Sequence, residues 1–354
     1  MAKTNVKKLL FFLNIIFFHE VHSQTIVYDT GHDNKIRYIA ASYPNGKILL
    51  WDLSEQKVVK YIAPYKINSM ALSVYKKLIY FTTSSGGVFA LDFDAKIKYP
   101  PRYFPPGPEK IVFRDIALSI DGEDFFCIGK GPQSVDGAWI RKDMSEISYY
   151  YDQTSSEIYG LFNEVDFIKN KLVSAYSNGS IKVWNFNYDD RSISLEHTNN
   201  SSKSMISSLH ILNFSKQSRC VFTDQSNILY LYDYISGELI DKKRSSTNIT
   251  CISSLQNNNT SGELLVGHKD GTLSFWEIKN LKSLKHLDKS SSLHSGSITG
   301  LVILPKSQGK LVITMGEDNH INVIDYLRNY KVLGGLKEDG QFFEKPGFSF
   351  SDYF

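Results

Sequence analysis

Seven times along this chain an apolar run closes on an aromatic or aliphatic residue, and six of those endings are followed by a polar residue. They are Trp51-Asp52, Leu91-Asp92, Trp139-Ile140, Trp184-Asn185, Tyr232-Asp233, Trp276-Glu277 and Ile324-Asp325, spaced 40 to 48 residues apart. A fixed period outranks local propensity, because each unit of a repeat architecture buries its apolar faces only against a neighbour. A period of 40 to 48 residues holds four short strands and their turns. The predicted fold is all-β: a seven-bladed β-propeller of four-stranded antiparallel blades.

The strands inside a unit are legible. In the second unit Ile67–Val74 reads as the innermost strand, Leu78–Thr83 as the next, and Val88–Phe93 follows a turn at Gly86-Gly87. The last unit repeats the plan with Ile298–Leu304, Leu311–Met315, a turn at Glu317-Asp318-Asn319, and Ile321–Tyr326. Turns at Asn45-Gly46, Asn178-Gly179 and Asp270-Gly271 stand at matching places before Trp51, Trp184 and Trp276. Such residues tolerate the positive φ of tight hairpins. The chain divides into residues 1–23, a propeller over 24–336 with units ending near 55, 95, 143, 188, 236, 280 and 336, and an aromatic tail over 337–354.

These residues resemble the WD-repeat (WD40-like) family in degenerate form. Its marks are a Gly-His ahead of the innermost strand, an Asp in the turn before the third strand, and a closing Trp-Asp. Here they are Gly31-His32 with Trp51-Asp52, Asp270-Gly271 with Trp276-Glu277, and His294 with Asp318 and Ile324-Asp325. The resemblance implies a buried tetrad of His, Ser/Thr, Asp and Trp. In the seventh unit His294, Thr314 and Asp318 supply three members, and Ile324 stands where Trp is expected. On this reading His32, Trp51, Asp52, Trp184, Asp270, Trp276, His294, Asp318 and Asp325 are structural. The resemblance speaks for a fold, and function must be argued from a site.

Residues 1–23 have the three-part layout of a secretory signal: Lys3, Lys7 and Lys8, an apolar run Leu9–Phe18, then small or β-branched residues up to Ser23. That run is too short for a membrane helix. The first unit finds its innermost strand at Ile26–Asp29 and the last supplies its own outer strand at Lys331–Leu333, so no blade needs Leu9–Phe18. A secreted or periplasmic protein is expected, with no membrane span after cleavage. The alternative is a cytoplasmic or nuclear chain that keeps the segment as a strand.

Composition removes several function classes. A net charge of +3 without a dense Lys/Arg cluster does not suit nucleic acid. Three scattered cysteines, Cys127, Cys220 and Cys251, form no CxxC pair, which argues for buried thiols over zinc. No HExxH, GxSxG or Walker-type loop is present, and Gly267–Gly271 lies between strands and opens no helix. No cofactor, metal or catalytic set is expected.

Half of the ten prolines fall in Tyr99–Pro108, which reads as a stiff extended loop between the second and third units. Its Tyr99, Arg102, Tyr103 and Phe104 form the candidate partner-binding loop, since a stiff segment loses little entropy on binding. The expected function is a non-catalytic, monomeric protein-interaction scaffold with protein or peptide partners. The alternatives are an intracellular assembly factor, or an enzyme using the central channel, which needs acidic, His or Arg residues converging on the inner strands. Ile67–Val74 and Ile298–Leu304 do not offer them.

Overall fold

The computed structural model describes residues 26–346, apart from the connecting stretches 31–35, 74–75, 104–110, 119–123, 132–134, 142–144, 152–157, 159, 167–168, 213–216, 259–260, 290–291, 304–310 and 326–330. Consecutive strands pair antiparallel into seven sheets. Blade 1 is β1 (Ile26–Thr30), β2 (Ile36–Ser42), β3 (Lys47–Asp52) and β4 (Lys57–Ile62). Blade 2 is β5 (Ile67–Ser73), β6 (Leu78–Thr83), β7 (Gly87–Asp92) and β8 (Ile97–Tyr103). Blade 3 is β9 (Val112–Leu118), β10 (Asp124–Lys130), β11 (Val135–Arg141) and β12 (Ile147–Tyr151). Blade 4 is β13 (Gly160–Asp166), β14 (Lys171–Tyr176), β15 (Ile181–Asn187) and β16 (Ser192–Asn199). Blade 5 is β17 (Ile206–Leu212), β18 (Arg219–Asp224), β19 (Ile228–Asp233) and β20 (Glu238–Arg244). Blade 6 is β21 (Ile249–Asn258), β22 (Ser261–His268), β23 (Leu273–Lys279) and β24 (Ser283–Lys289). Blade 7 is β25 (Ile298–Ile303), β26 (Leu311–Gly316), β27 (His320–Asp325), β28 (Lys331–Lys337) and a fifth strand, β29 (Phe342–Glu344).

Trp51, Leu91, Trp139, Trp184, Tyr232, Trp276 and Ile324 all lie in the third strands of their blades. Each innermost strand touches that of the next blade, and β25 touches β1, so the ring is closed. The fold is a seven-bladed β-propeller. Blades 1 to 6 continue one strand past the unit end read from the sequence, because the polar turn after the closing residue is an internal hairpin and not a boundary; in blade 7 the fourth strand, β28, ends at Lys337, beside the end read at 336. Within the aromatic tail, β29 pairs along β28. Phe348, Phe350, Tyr353, Phe354 and the proposed signal 1–23 lie outside the described residues.

The apolar core is divided among the blade interfaces. Ile48 and Leu50 of blade 1 pack on Ile79 and Phe81 of blade 2. Trp139 of blade 3 packs with Trp184 and Phe186 of blade 4, and Trp51 of blade 1 with Ile313 and Val323 of blade 7. Two faces of every middle strand are therefore buried, which is why those strands are continuously apolar and not alternating. Each large side chain so buried contributes about 1.5–3 kcal/mol.

The hairpin turns lock neighbouring blades in register. Gly271 has φ +77°, and a Cβ there would overlap the carbonyl oxygen of His294, in the linker into blade 7. The same linker donates Leu293 N–H to the Gly271 carbonyl at 2.9 Å. The Asp residues after the closing aromatics cap the next turn: Asp52 accepts from the Ser54 and Glu55 N–H, and Asp233 from the Ile235 and Ser236 N–H. Among the described residues no helix is long and apolar enough to cross a membrane.

Candidate functional site

Four blades close with different polar locks near one place, where the second strand ends beside the linker into the blade. In blade 7 the linker supplies His294. Its Nδ1 faces Asp318 Oδ1 at 2.9 Å and its Nε2 faces Thr314 Oγ1 at 2.8 Å. A carboxylate only accepts, so Nδ1 carries the hydrogen. Gly316 ends β26, and a Cβ there would overlap the imidazole. In blade 6 the ring comes from the opposite side: His268 ends β22, meets Thr247 Oγ1 at 2.9 Å and Ser274 Oγ at 2.7 Å, and Ser274 accepts from Trp276 Nε1 at 3.0 Å. Blade 5 uses Asp224, which ends β18 and accepts from the Ser202 hydroxyl at 2.7 Å and the Tyr230 hydroxyl at 2.8 Å. Blade 4 puts Lys182 at the place of Ser274, with its ammonium over the Tyr176 ring at 4.1 Å and 3.4 Å from Asp136 of blade 3.

Burial works against the Asp318 carboxylate. The hydrogen bond and charge of His294, with the Ser295 and His320 N–H, outweigh it and hold the carboxyl at about 2. A group depressed on folding adds stability above its unfolded value, and that stability is lost as pH falls through the folded value. Wild type is therefore expected to exceed an Asp318→Asn variant in stability at pH 7, with the gap closing between about pH 4 and 2. Denaturant titrations at each pH measure it, and a constant gap would refute the assignment.

The other sequence-predicted residues scatter along the ring. Asp270 is exposed and caps its own turn through Thr272. Trp51 and Trp184 are buried, each indole N–H without a hydrogen-bond partner among the described residues. Asp325 ends β27 half-buried, and His32 lies outside the described residues.

The inner strands carry more charge than the two strands read from the sequence suggested. Arg114 and Asp115 lie on β9, Glu164 on β13 and His210 on β17. Three of them make contacts between blades: Ser69 Oγ donates to Asp115 Oδ1 at 2.6 Å, and His210 Nδ1 stands 3.4 Å from Glu164 Oε1. Asn68 Nδ2 donates to the Phe113 carbonyl at 2.7 Å, and Thr250 Oγ1 to the Ile298 carbonyl. These groups stitch β5 to β9, β13 to β17 and β21 to β25. Among the described residues no group of three His, Cys, Asp or Glu could hold a metal ion.

The Pro-rich segment is corrected by the structure. Tyr99, Arg102 and Tyr103 belong to β8, the outer strand of blade 2, and not to a loop; Phe104 lies outside the described residues. Tyr99 pairs with Ala90 and Arg102 with Val88, so Pro100 and Pro101 bulge opposite Phe89. Prolines are tolerated there because an edge strand has no further neighbour to which an N–H must donate.

All three cysteines are free. Burial pushes the thiols of Cys127 and Cys220 well up and that of Cys251 up to about 12. A thiol reagent at pH 8 is expected to label none of them in the folded chain and all three in denaturant, since the thiolate is the reactive form. Labelling of folded chain within minutes would contradict this.

Two solved structures are similar in fold. The WD40 β-propeller domain of Doa1 aligns with a TM-score of 0.62 at 15% identity, over 86% of this chain and 93% of that one. The likeness is one of fold alone. The computationally designed Ika8 protein aligns with a TM-score of 0.62 at 16% identity, over 92% of this chain and 90% of its own. No protein-family model and no curated protein matches the sequence.

Proposed function

We propose that the chain is a non-catalytic scaffold that binds protein or peptide partners, exported after removal of residues 1–23. The observation that carries this is the use of the inner-strand polar groups. Asp115 and Thr250 hydrogen-bond to the adjacent blade and His210 faces Glu164 across a blade junction, an arrangement that stiffens a ring, whereas a catalytic set converges on a reacting atom. A stiff ring presents its loops and outer strands at fixed angles, which lowers the ordering cost of binding. The basic and aromatic outer strand β8 is the first candidate contact.

The test is isolation of the tagged chain from its native source under mild crosslinking. A stoichiometric partner is expected, lost when Tyr99, Arg102 and Tyr103 are all changed to Ala. A partner retained by that variant removes β8 as the contact, and a chain that isolates alone counts against a scaffold. N-terminal sequencing tests export: Gln24 as the first residue supports it, and Met1 or Ala2 refutes it.

A further inference from the structure

Among the described residues the outer strands other than β28 bury at most one residue each, Tyr150 on β12 and Leu284 on β24. Burial along β4, β16 and β20 is sparse, and none of their residues is fully buried. On β28 the four consecutive residues Leu333–Leu336 are buried. Leu333 and Leu336 belong to the core shared with blade 1, and the chain's own β29 covers the outer edge, paired Gly334↔Glu344, Gly335↔Phe343 and Leu336↔Phe342. Gly335 makes the bed: a Cβ there would meet the Phe343 ring at 2.6 Å. Phe342 packs against the cluster shared by blades 7 and 1. The turn between the two strands is clipped to blade 1, with Glu338 Oε1 2.8 Å from Lys47 Nζ and 3.4 Å from Asn45 Nδ2.

We infer that β28 is a strand-accepting edge which the chain fills with Phe342–Glu344, and that an extended partner segment with two adjacent aromatic residues takes the same place. The geometry names the occupant's chemistry because it shows one seated: one aromatic over Gly335, its neighbour in the seam between blades, and main-chain hydrogen bonds along the strand. It also gives an incoming strand an advantage. β28 has seven residues; β29 pairs with three, and the Lys345 N–H to Leu333 carbonyl and Lys337 N–H to Gln341 carbonyl bonds engage two more, so a longer segment gains ladder bonds at Lys331 and Val332. Against this stands the high effective concentration of a tethered strand, so exchange requires a weak hold. All three residues of β29 keep solvent exposure, which supplies one. This inference deepens the scaffold reading by naming a surface.

The test uses the full chain, uniformly 15N-labelled, with an unlabelled synthetic peptide of residues 336–346. Excess peptide is expected to speed amide exchange of residues 341–345 in the labelled chain at least tenfold while β26 and β27 are unchanged. A Phe342→Ala/Phe343→Ala chain is expected to bind fluorescent peptide at least tenfold more tightly than wild type. A Glu338→Gln chain, which loosens the clip and leaves both rings in place, should fall between them, and it keeps the test alive should the double variant not fold. Exchange unchanged by peptide, with no binding to either variant, overturns the inference. Doubling of mass in light scattering as concentration rises makes a second copy the occupant and overturns the partner version. Failure to isolate a native partner leaves the peptide result untouched, so the two readings fail separately.

Discussion

Changing Gly271 to Ala is expected to cost roughly 2–5 kcal/mol. Two effects add. A left-handed φ of +77° costs an L-residue about 1–2 kcal/mol, and the new methyl overlaps the His294 carbonyl oxygen, an overpacking worth about 1–3 kcal/mol. Gly237 separates them: its φ is +74°, and its nearest neighbour to a Cβ is the His197 ring at 3.6 Å. Gly237→Ala should therefore cost only the conformational part, about 1–2 kcal/mol. Unfolding entropy near 2.1 cal/mol/K per residue puts the fall in Tm at about 3–7 °C for Gly271→Ala, and about 1–3 °C for Gly237→Ala. Equal losses in calorimetry would mean that the turn does not clamp the linker.

The second large effect is expected at His294. His294→Ala empties the space that Gly316 keeps open and strips partners from Thr314 and Asp318. Two hydrogen bonds at about 1 kcal/mol each, one to a charged group, and a cavity of imidazole size sum to about 3 kcal/mol. Removing a turn cap with Asp52→Ala should cost nearer 1 kcal/mol, because water can replace the lost contacts at an exposed turn. A His294→Ala chain that unfolds within half a kcal/mol of wild type would show the lock to be dispensable.

The period and the closing aromatics made the blades legible, because burial on both faces forces continuous apolar strands wherever blades abut. The locks were only partly legible. His294, Thr314 and Asp318 match a known pattern, whereas His268 was read as part of a glycine-rich turn when it is the last residue of β22. A signal was there to find: Ser274, Tyr230, Asn322 and Lys182 each stand two residues before the closing residue of the third strand. A polar residue at a constant offset inside an apolar strand points to a buried partner. Arg114, Asp115, Glu164 and His210 escaped because charged residues on a strand usually mark a solvated face. On an innermost strand that face is the channel. Pro100 and Pro101 misled for a related reason: proline excludes a central strand but not an outer one, and sequence does not reveal which strand is outermost.

Among the described residues every sheet is built from neighbouring stretches of chain, with no strand lent from one end to the other. A chain emerging from the ribosome can therefore pair each strand with the one made just before it. Blade 1 is the exception in what it must wait for. Its Ile39, Leu49 and Trp51 find their cover only when Ile313, Val323 and Leu336 arrive. At about 5–20 residues per second that delay is roughly 15–60 s. For that time a complete sheet shows an oily face to the cell, and the first blade, not the last, is where nascent-chain chaperones would be needed most.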